Sequence, residues 1–370
     1  MFDLARLRGT ALALASVALG LGISAAALRW AADCRPGWFP SMPSKMDVVA
    51  LERVGGRVAR AARDIRRDPR IGDRLGVILG SSTMQSALEP GLLIVEDGPK
   101  RWLNLCGPDA SPIDFGRIAR LLERGGVRPS VAVVGINVGM LADPGDLMAD
   151  AMLADPAPPA WSRLSSSRPP ASGPARLFRS LGRLAGDAGD WLRPNITKLH
   201  YLKDLAAFEW RLAAAPRVGI DAAFAPASDY WTPPPAWVDP ATDEFRAWQV
   251  REYARKGWFS ADAYGPDGPN VRALADLLAR LRRLDSRVVL VLLPEPAGLR
   301  ARVPAEAGRR LSALVAGLPP ADAPEVLDLR DALRDGELMD LVHPGPLGRE
   351  AVTRRVARLL AGPAAVARRP

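Results

Sequence analysis

Histidine and cysteine are scarce in this chain, and their scarcity excludes several kinds of site. Only two residues of each type occur among the 370. The two cysteines, Cys34 and Cys106, cannot build a disulfide framework, and no Cys-x-x-Cys pair is available to bind zinc. Arginine supplies nearly all of the positive charge behind the net charge of +9, yet no zinc-finger spacing or aromatic RNA-binding motif accompanies it. We therefore expect no nucleic-acid partner, no metal and no organic cofactor.

Charge is missing from a long stretch near the N-terminus. Roughly twenty residues, from Gly9 to Leu28, carry no ionisable side chain and lie between two arginines. A helix of that length spans a hydrocarbon core of about 30 Å. The sequence predicts a single-pass transmembrane anchor over residues 1–32 and a linker over 33–46, with the bulk of the chain extracytoplasmic. The alternative is a cleaved signal peptide and a secreted protein.

Five short apolar runs alternate with amphipathic segments along much of the remaining chain. Buried parallel strands are apolar throughout, whereas helices repeat their apolar residues every three to four positions. This alternation predicts an α/β fold with three layers (α/β/α), a flavodoxin-like parallel sheet of about five strands. The predicted strands are Gly76–Leu79, Trp102–Leu105, Val131–Ile136, Val288–Leu293 and Val326–Leu329. The predicted helices are Asp47–Arg67, Ile113–Arg124, Leu274–Leu284, Glu306–Leu318 and Leu347–Leu360.

The first predicted helix carries arginines on the side opposite its apolar residues. They are Arg57, Arg60, Arg63, Arg66 and Arg67. The pattern predicts a solvated helix face. The alternative is attraction to anionic lipid headgroups or an acidic polymer.

Residues 143–270 interrupt the alternation of strands and helices. They contain a loop rich in proline and serine, helical segments and a passage with several tryptophans. Because the interruption falls between the third and fourth strands, it predicts a helical insertion that caps the carboxyl ends of the strands, where open α/β sheets bind ligands. The α/β domain is then assembled from residues 47–142 and 271–370.

Polar residues stand where strands end and just before the last helix. Ser82 follows the first strand, and its hydroxyl becomes a nucleophile if a neighbouring base removes the proton. His343 is the candidate base, provided that a carboxylate holds its other ring nitrogen, and Asp340 lies three residues away. Asn137 ends the third strand, where its amide can donate to an oxyanion, and Gly107 can add a backbone N–H. This is the layout of an esterase active site.

The order of these blocks resembles the SGNH, or GDSL-like, hydrolase superfamily. The matching blocks are Gly80-Ser81-Ser82, Asn104-Leu105-Cys106-Gly107, Gly135-Ile136-Asn137 and Asp340 to His343. The resemblance implies a triad of Ser82, His343 and Asp340. Three positions depart from the pattern of the superfamily: Ser81 and Val138 stand where aspartate is common, and Asp109 stands near the place of a glycine.

With the N-terminal anchor, these features resemble membrane-anchored relatives that act on envelope polymers, such as alginate O-acetyltransferase-like proteins and the D-alanine transfer proteins of teichoic acid synthesis. The resemblance implies an extracytoplasmic serine esterase or O-acyltransferase acting on an acyl ester of a cell-envelope or exopolysaccharide substrate. Its candidate partners are the membrane, a polysaccharide and envelope proteins. The alternative is a catalytically inactive scaffold that binds a glycan or a protein. Aromatic residues that could stack on sugars favour this alternative: Trp231, Trp237, Trp248 and Trp258.

Overall fold

The computed structural model of the protein describes residues 48–94, 98–142, 207–231 and 241–366. The predicted anchor, the predicted linker and residues 143–206 of the predicted insertion lie outside the described residues. Within the described ranges, no helix has both the length and the apolar character needed to cross a membrane.

Five parallel strands form one sheet, which confirms the predicted α/β fold class. The strands are β1 (Leu75–Leu79), β2 (Arg101–Asn104), β3 (Val131–Ile136), β4 (Arg287–Leu292) and β5 (Glu325–Asp328). Their spatial order is β2-β1-β3-β4-β5, the order of flavodoxin-like sheets. The order reverses between β1 and β3, and open sheets of this kind bind ligands at that point, outside the carboxyl ends of the strands.

Helices cover both faces of the sheet. They are α1 (Val48–Arg67), α2 (Ser82–Ala87), α3 (Pro112–Arg124), α4 (207–218), α5 (Ile220–Ala223), α6 (Asp243–Arg255), α7 (Pro269–Arg283), α8 (Ala297–Arg300), α9 (Ala305–Gly317) and α10 (Pro346–Val366). Helix α3 packs against α7 and α1, and α10 packs against α2.

The buried strands hold the carboxyl edge of the sheet in place. Every residue of β1 and β3 is buried. Because successive side chains of a strand point to opposite faces, each strand contributes to the packing on both sides of the sheet. One hydrophobic cluster joins alternate strand residues to α2 and α10, and it includes Ile78, Val133, Val291, Met84, Val352 and Val356. Burial of each large apolar side chain stabilises the fold by about 1.5–3 kcal/mol.

The arginines of α1 differ from the predicted solvated face. Arg57 is buried, and its guanidinium donates to the backbone carbonyl of Asn104 at 2.8 Å and pairs with Asp229 at 3.4 Å. Arg66 pairs with Asp221 at 2.8 Å. The solvated-face prediction is therefore wrong for Arg57, because the segment after α5 that carries Asp229 and the end of β2 both lie against it.

Part of the predicted insertion packs within the same compact unit as the sheet. That unit includes α4, α5 and α6. Arg211 of α4 forms an ion pair with Glu52 of α1. Trp258, which follows α6, lies so close to Gly139 that a Cβ built on the glycine would be 2.3 Å from the indole.

Candidate active site

The turn between β1 and α2 presents the Ser82 hydroxyl at the carboxyl edge of a central strand. Strand β1 ends at Leu79, and Ser81 caps α2 by accepting the Thr83 N–H on its Oγ at 3.3 Å. Gly80 makes the tight turn possible, because a Cβ there would lie only 2.2 Å from Met84 Cβ. Ser81 is thus a capping residue, at the position where aspartate is common in the superfamily that the sequence blocks resemble. Ser82 begins the helix and is partly exposed.

The Asp340 to His343 block folds as a closed turn just before α10. Asp340 Oδ1 accepts the backbone N–H groups of Val342 and His343, both at 2.8 Å. The Met339 N–H donates to the His343 carbonyl at 2.8 Å, and this hydrogen bond closes the turn. A buried carboxylate therefore organises the loop that carries the imidazole.

Ser82, His343 and Asp340 form a continuous chain of hydrogen bonds. The Ser82 Oγ lies 2.9 Å from His343 Nε2, and His343 Nδ1 lies 2.7 Å from Asp340 Oδ2. The side chain of Asp340 is fully buried, whereas that of His343 is 12% exposed. An ionised carboxylate only accepts, so Nδ1 carries the proton and the Nε2 lone pair faces the serine hydroxyl. That is the arrangement that general-base activation of a serine requires.

The ionisation of Asp340 suits this arrangement. Burial disfavours the charged carboxylate, but the hydrogen bond and charge of His343 and the N–H groups of Val342 and His343 outweigh it. The pKa of Asp340 therefore lies below its ordinary value, and the group is ionised at neutral pH.

Gln249 of α6 also reaches the buried carboxylate. Its Nε2 donates to Asp340 Oδ2 at 2.9 Å, and its Oε1 accepts the Leu341 N–H at 3.2 Å. The sequence carries no signal for this contact, because Gln249 lies 91 residues before Asp340.

Asn137 lies buried at the end of β3 and is held by a second acid. Its Nδ2 donates to Glu295 Oε1 at 3.3 Å, and Glu295, just after β4, is also buried. Burial raises the pKa of Glu295, although the Asn137 amide, the charges of Arg330 and Arg300 and the Val138 N–H favour its ionised form. An amide nitrogen has two hydrogens, and this bond uses one of them. As with Gln249, no pattern in the sequence predicted Glu295 at this place.

The Gly107 N–H, which the sequence offers as an oxyanion donor, donates to the Gly80 carbonyl at 3.1 Å. The loop is ordered by Asn104, whose Oδ1 accepts the Cys106 N–H at 2.9 Å. Cys106 is a free, buried thiol whose pKa is raised by burial. Among the described residues the Ser82 N–H, at the start of α2, makes no hydrogen bond to a backbone carbonyl, as is usual for the first turn of a helix.

The four tryptophans proposed to stack on sugars do not share one environment. Trp258 is buried and stacks on Tyr253 with a centroid distance of 4.3 Å. Trp248 is 47% exposed and lies 5.3 Å from the ring of Phe245. Trp231 packs against the hydrophobic cluster of the sheet, and Trp237 lies outside the described residues.

In the described part of the chain, no group of three or more His, Cys, Asp or Glu side chains could hold a metal ion. A cavity of about 200 Å³ lies beside Asp340 and Leu341, and its other charged lining residues are Arg246, Arg302 and Asp335.

No known protein-family model matches the chain, and no curated protein sequence matches it. What the site can do chemically therefore follows from its own residues and distances.

Proposed function

We propose that the protein is a serine esterase or O-acyltransferase of the SGNH type. The observation that carries the proposal is the hydrogen-bonded series from Ser82 Oγ through His343 to Asp340, at 2.9 Å and 2.7 Å. A serine next to a helix start, an imidazole with one nitrogen on that serine and a buried carboxylate on the other nitrogen together form an activated nucleophile.

In the proposed reaction, Ser82 Oγ attacks the carbonyl carbon of an ester while His343 Nε2 takes the hydroxyl proton. The Ser82 N–H and the Asn137 amide stabilise the resulting oxyanion, and each such donor contributes about 3 kcal/mol to the transition state. His343 then returns the proton to the leaving alcohol as the carbonyl re-forms, which leaves an acyl group on Ser82. Water or a sugar hydroxyl, deprotonated by His343, accepts that acyl group in the second half of the reaction.

The proposal extends to the place and the substrate. The uncharged stretch Gly9–Leu28 supports a membrane anchor with the catalytic domain outside the cytoplasm, or secretion after cleavage. The resemblance of the sequence blocks to membrane-anchored envelope relatives supports an acyl ester of a cell-envelope or exopolysaccharide substrate. The flavodoxin-like strand order supports binding of that substrate at the carboxyl edge of the sheet, with the predicted insertion 143–270 as the proposed cap.

A non-catalytic scaffold that binds a glycan or a protein partner is the second candidate. Two observations favour it. The Gly107 N–H, the proposed additional oxyanion donor, is engaged by the Gly80 carbonyl at 3.1 Å. The exposed pair of Phe245 and Trp248 could stack on a sugar ring.

Labelling with a fluorophosphonate probe separates the two candidates. We expect labelling of the wild-type protein and of Ser312→Ala, a control at an exposed serine of α9. Ser82→Ala should take no label, and its hydrolysis of 4-nitrophenyl acetate should fall by about a thousand-fold or more. Thermal unfolding shows that each variant is folded. A folded wild-type protein without label would favour the scaffold, and labelling retained in Ser82→Ala would overturn the proposed nucleophile.

A further inference from the structure

Helix α6 contributes a side chain to the acid end of the proposed triad. The geometry points to Gln249 as a positioning residue that holds Asp340 in the orientation required by His343. The effect of Gln249 on catalysis rests on the proposed function. Its effect on the titration of the His343 imidazole can be measured even if the protein has no enzymatic activity.

The carboxylate of Asp340 has its acceptor sites filled by donors from two directions. Oδ1 accepts the backbone N–H groups of Val342 and His343. Oδ2 accepts His343 Nδ1 at 2.7 Å and Gln249 Nε2 at 2.9 Å. An ionised carboxylate offers about four lone-pair sites, so these bonds fix its rotation as well as its position. Gln249 supplies the only one of these donors that comes from outside the Asp340–His343 turn.

Glutamine is the side chain that this place requires. Its amide donates to a carboxylate oxygen on one side and accepts the Leu341 N–H at 3.2 Å on the other. Glutamate would place a second carboxylate against Asp340, whereas an apolar side chain would leave the Leu341 N–H without its acceptor and Asp340 Oδ2 with one donor instead of two. Gln249 is also the buried residue of a helix that is otherwise largely exposed, so the polar contact, rather than a hydrophobic face, orients α6 here.

Several other groups surround the Asp340 carboxylate. From α6, Tyr253 is partly buried, and both desolvation and the charge of Asp340 raise its pKa, so the phenol is neutral. The adjoining cavity contributes Arg246, Arg302 and Asp335. Because each of these groups remains in a Gln249 variant, a change in the titration of His343 would result from the loss of the Gln249 amide.

The test compares Gln249→Met, Gln249→Glu and the control Arg251→Ala. Methionine is about as long as glutamine but makes neither hydrogen bond, whereas glutamate keeps the acceptor for Leu341 and loses the donor to Asp340. Arg251 is an exposed neighbour on the same helix. We expect kcat for an acyl ester to fall about ten- to hundred-fold in both Gln249 variants, with KM nearly unchanged. The control should match the wild type.

A second readout distinguishes positioning from a general loss of structure. Asp340 with one donor fewer holds the imidazolium proton more tightly, so the acid limb of the kcat/KM profile should move to higher pH by on the order of half a unit. The chain has only two histidines, so NMR of the imidazole rings follows His343 directly, with His343→Asn providing the assignment. The ring signals of His343 should titrate at higher pH in Gln249→Met. Partial unfolding alone would lower kcat without moving either curve.

The outcomes separate this inference from the proposed function. A wild-type protein without esterase activity, in which Gln249→Met still moves the His343 titration, would end the proposed function and leave the positioning role standing. An active wild-type enzyme whose Gln249→Met variant keeps its kcat and its His343 titration would overturn the positioning role and leave the esterase intact.

Discussion

Replacing Asp340 with asparagine tests the triad with a minimal change of shape. Asp340 Oδ1 accepts the backbone N–H groups of Val342 and His343, each at 2.8 Å. Asparagine keeps its carbonyl oxygen at that place, because its NH₂ group would otherwise face two donors. The NH₂ group then replaces Oδ2 and faces His343 Nδ1. Since two donors cannot bond to each other, the imidazole must carry its proton on Nε2, where it points at Ser82 and cannot act as a base.

The size of the effect follows from this forced tautomer. In serine proteases the equivalent change lowers kcat by about ten-thousand-fold, which corresponds to about 5.5 kcal/mol. The flipped amide would restore an acceptor for Nδ1 and for Gln249 Nε2, but it gives up both backbone hydrogen bonds, a net loss of one bond at about 1–3 kcal/mol. At the low end, about 1 kcal/mol, the flip leaves a loss of about five-fold. We therefore expect kcat/KM to fall by between about five-fold and ten-thousand-fold, nearer the larger value.

Initial rates of 4-nitrophenyl acetate hydrolysis measure this loss, with Ser82→Ala defining the background. The melting temperature of Asp340→Asn, compared with that of the wild type, shows whether the turn still folds. Wild-type activity in a folded Asp340→Asn protein, alongside an inactive Ser82→Ala, would refute the role of the carboxylate in setting the tautomer.

Two further changes test the packing around the site. Gly80→Ala should lower the free energy of unfolding by about 1–3 kcal/mol, because its Cβ would meet Met84 Cβ at 2.2 Å; denaturant titration measures the change, and an unaltered midpoint would contradict the tight turn. Glu295→Gln should stabilise the protein at pH 8. It should have little effect at pH 4, where the wild-type glutamate is largely neutral, as glutamine is. Burial raises the folded-state pKa of Glu295 above its unfolded value, so ionising it as the pH rises costs folding free energy that glutamine avoids. An equal difference in the free energy of unfolding between Glu295→Gln and the wild type at both pH values would contradict a raised pKa for Glu295.

Local patterns were sufficient to locate the regular elements of the sheet. The strands predicted from apolar runs agree with the observed strands to within one residue at each end. Helix α3 ends at Arg124 as predicted and begins at Pro112, one residue before the predicted start. Helices α2 and α6 were not predicted, for different reasons. Helix α2 has only six residues, and the buried residue of α6 is the polar Gln249, so neither shows an apolar repeat.

The site followed from the sequence only in part. Ser82 at the end of a strand and Asp340 three residues before His343 are features of adjacent residues, so they were visible without coordinates. The direction of the Gly107 N–H was not, because it depends on how the loop after β2 closes against Gly80. The acid that holds Asn137 was also hidden, since Glu295 follows a different strand and meets Asn137 only across the sheet edge.

The sequence by itself determined the succession of strands and helices and the places where polar residues leave them, because those features depend on neighbours within a few positions. Tertiary structure decided which of these residues meet. Ser82 and His343 are 261 residues apart, and they approach to 2.9 Å because the packing of α10 against α2 and the sheet brings the last loop to the end of β1. The contact between Gln249 and Asp340 likewise depends on where α6 docks. Distances between side chains from remote segments are set by how whole elements pack, and no local pattern records them.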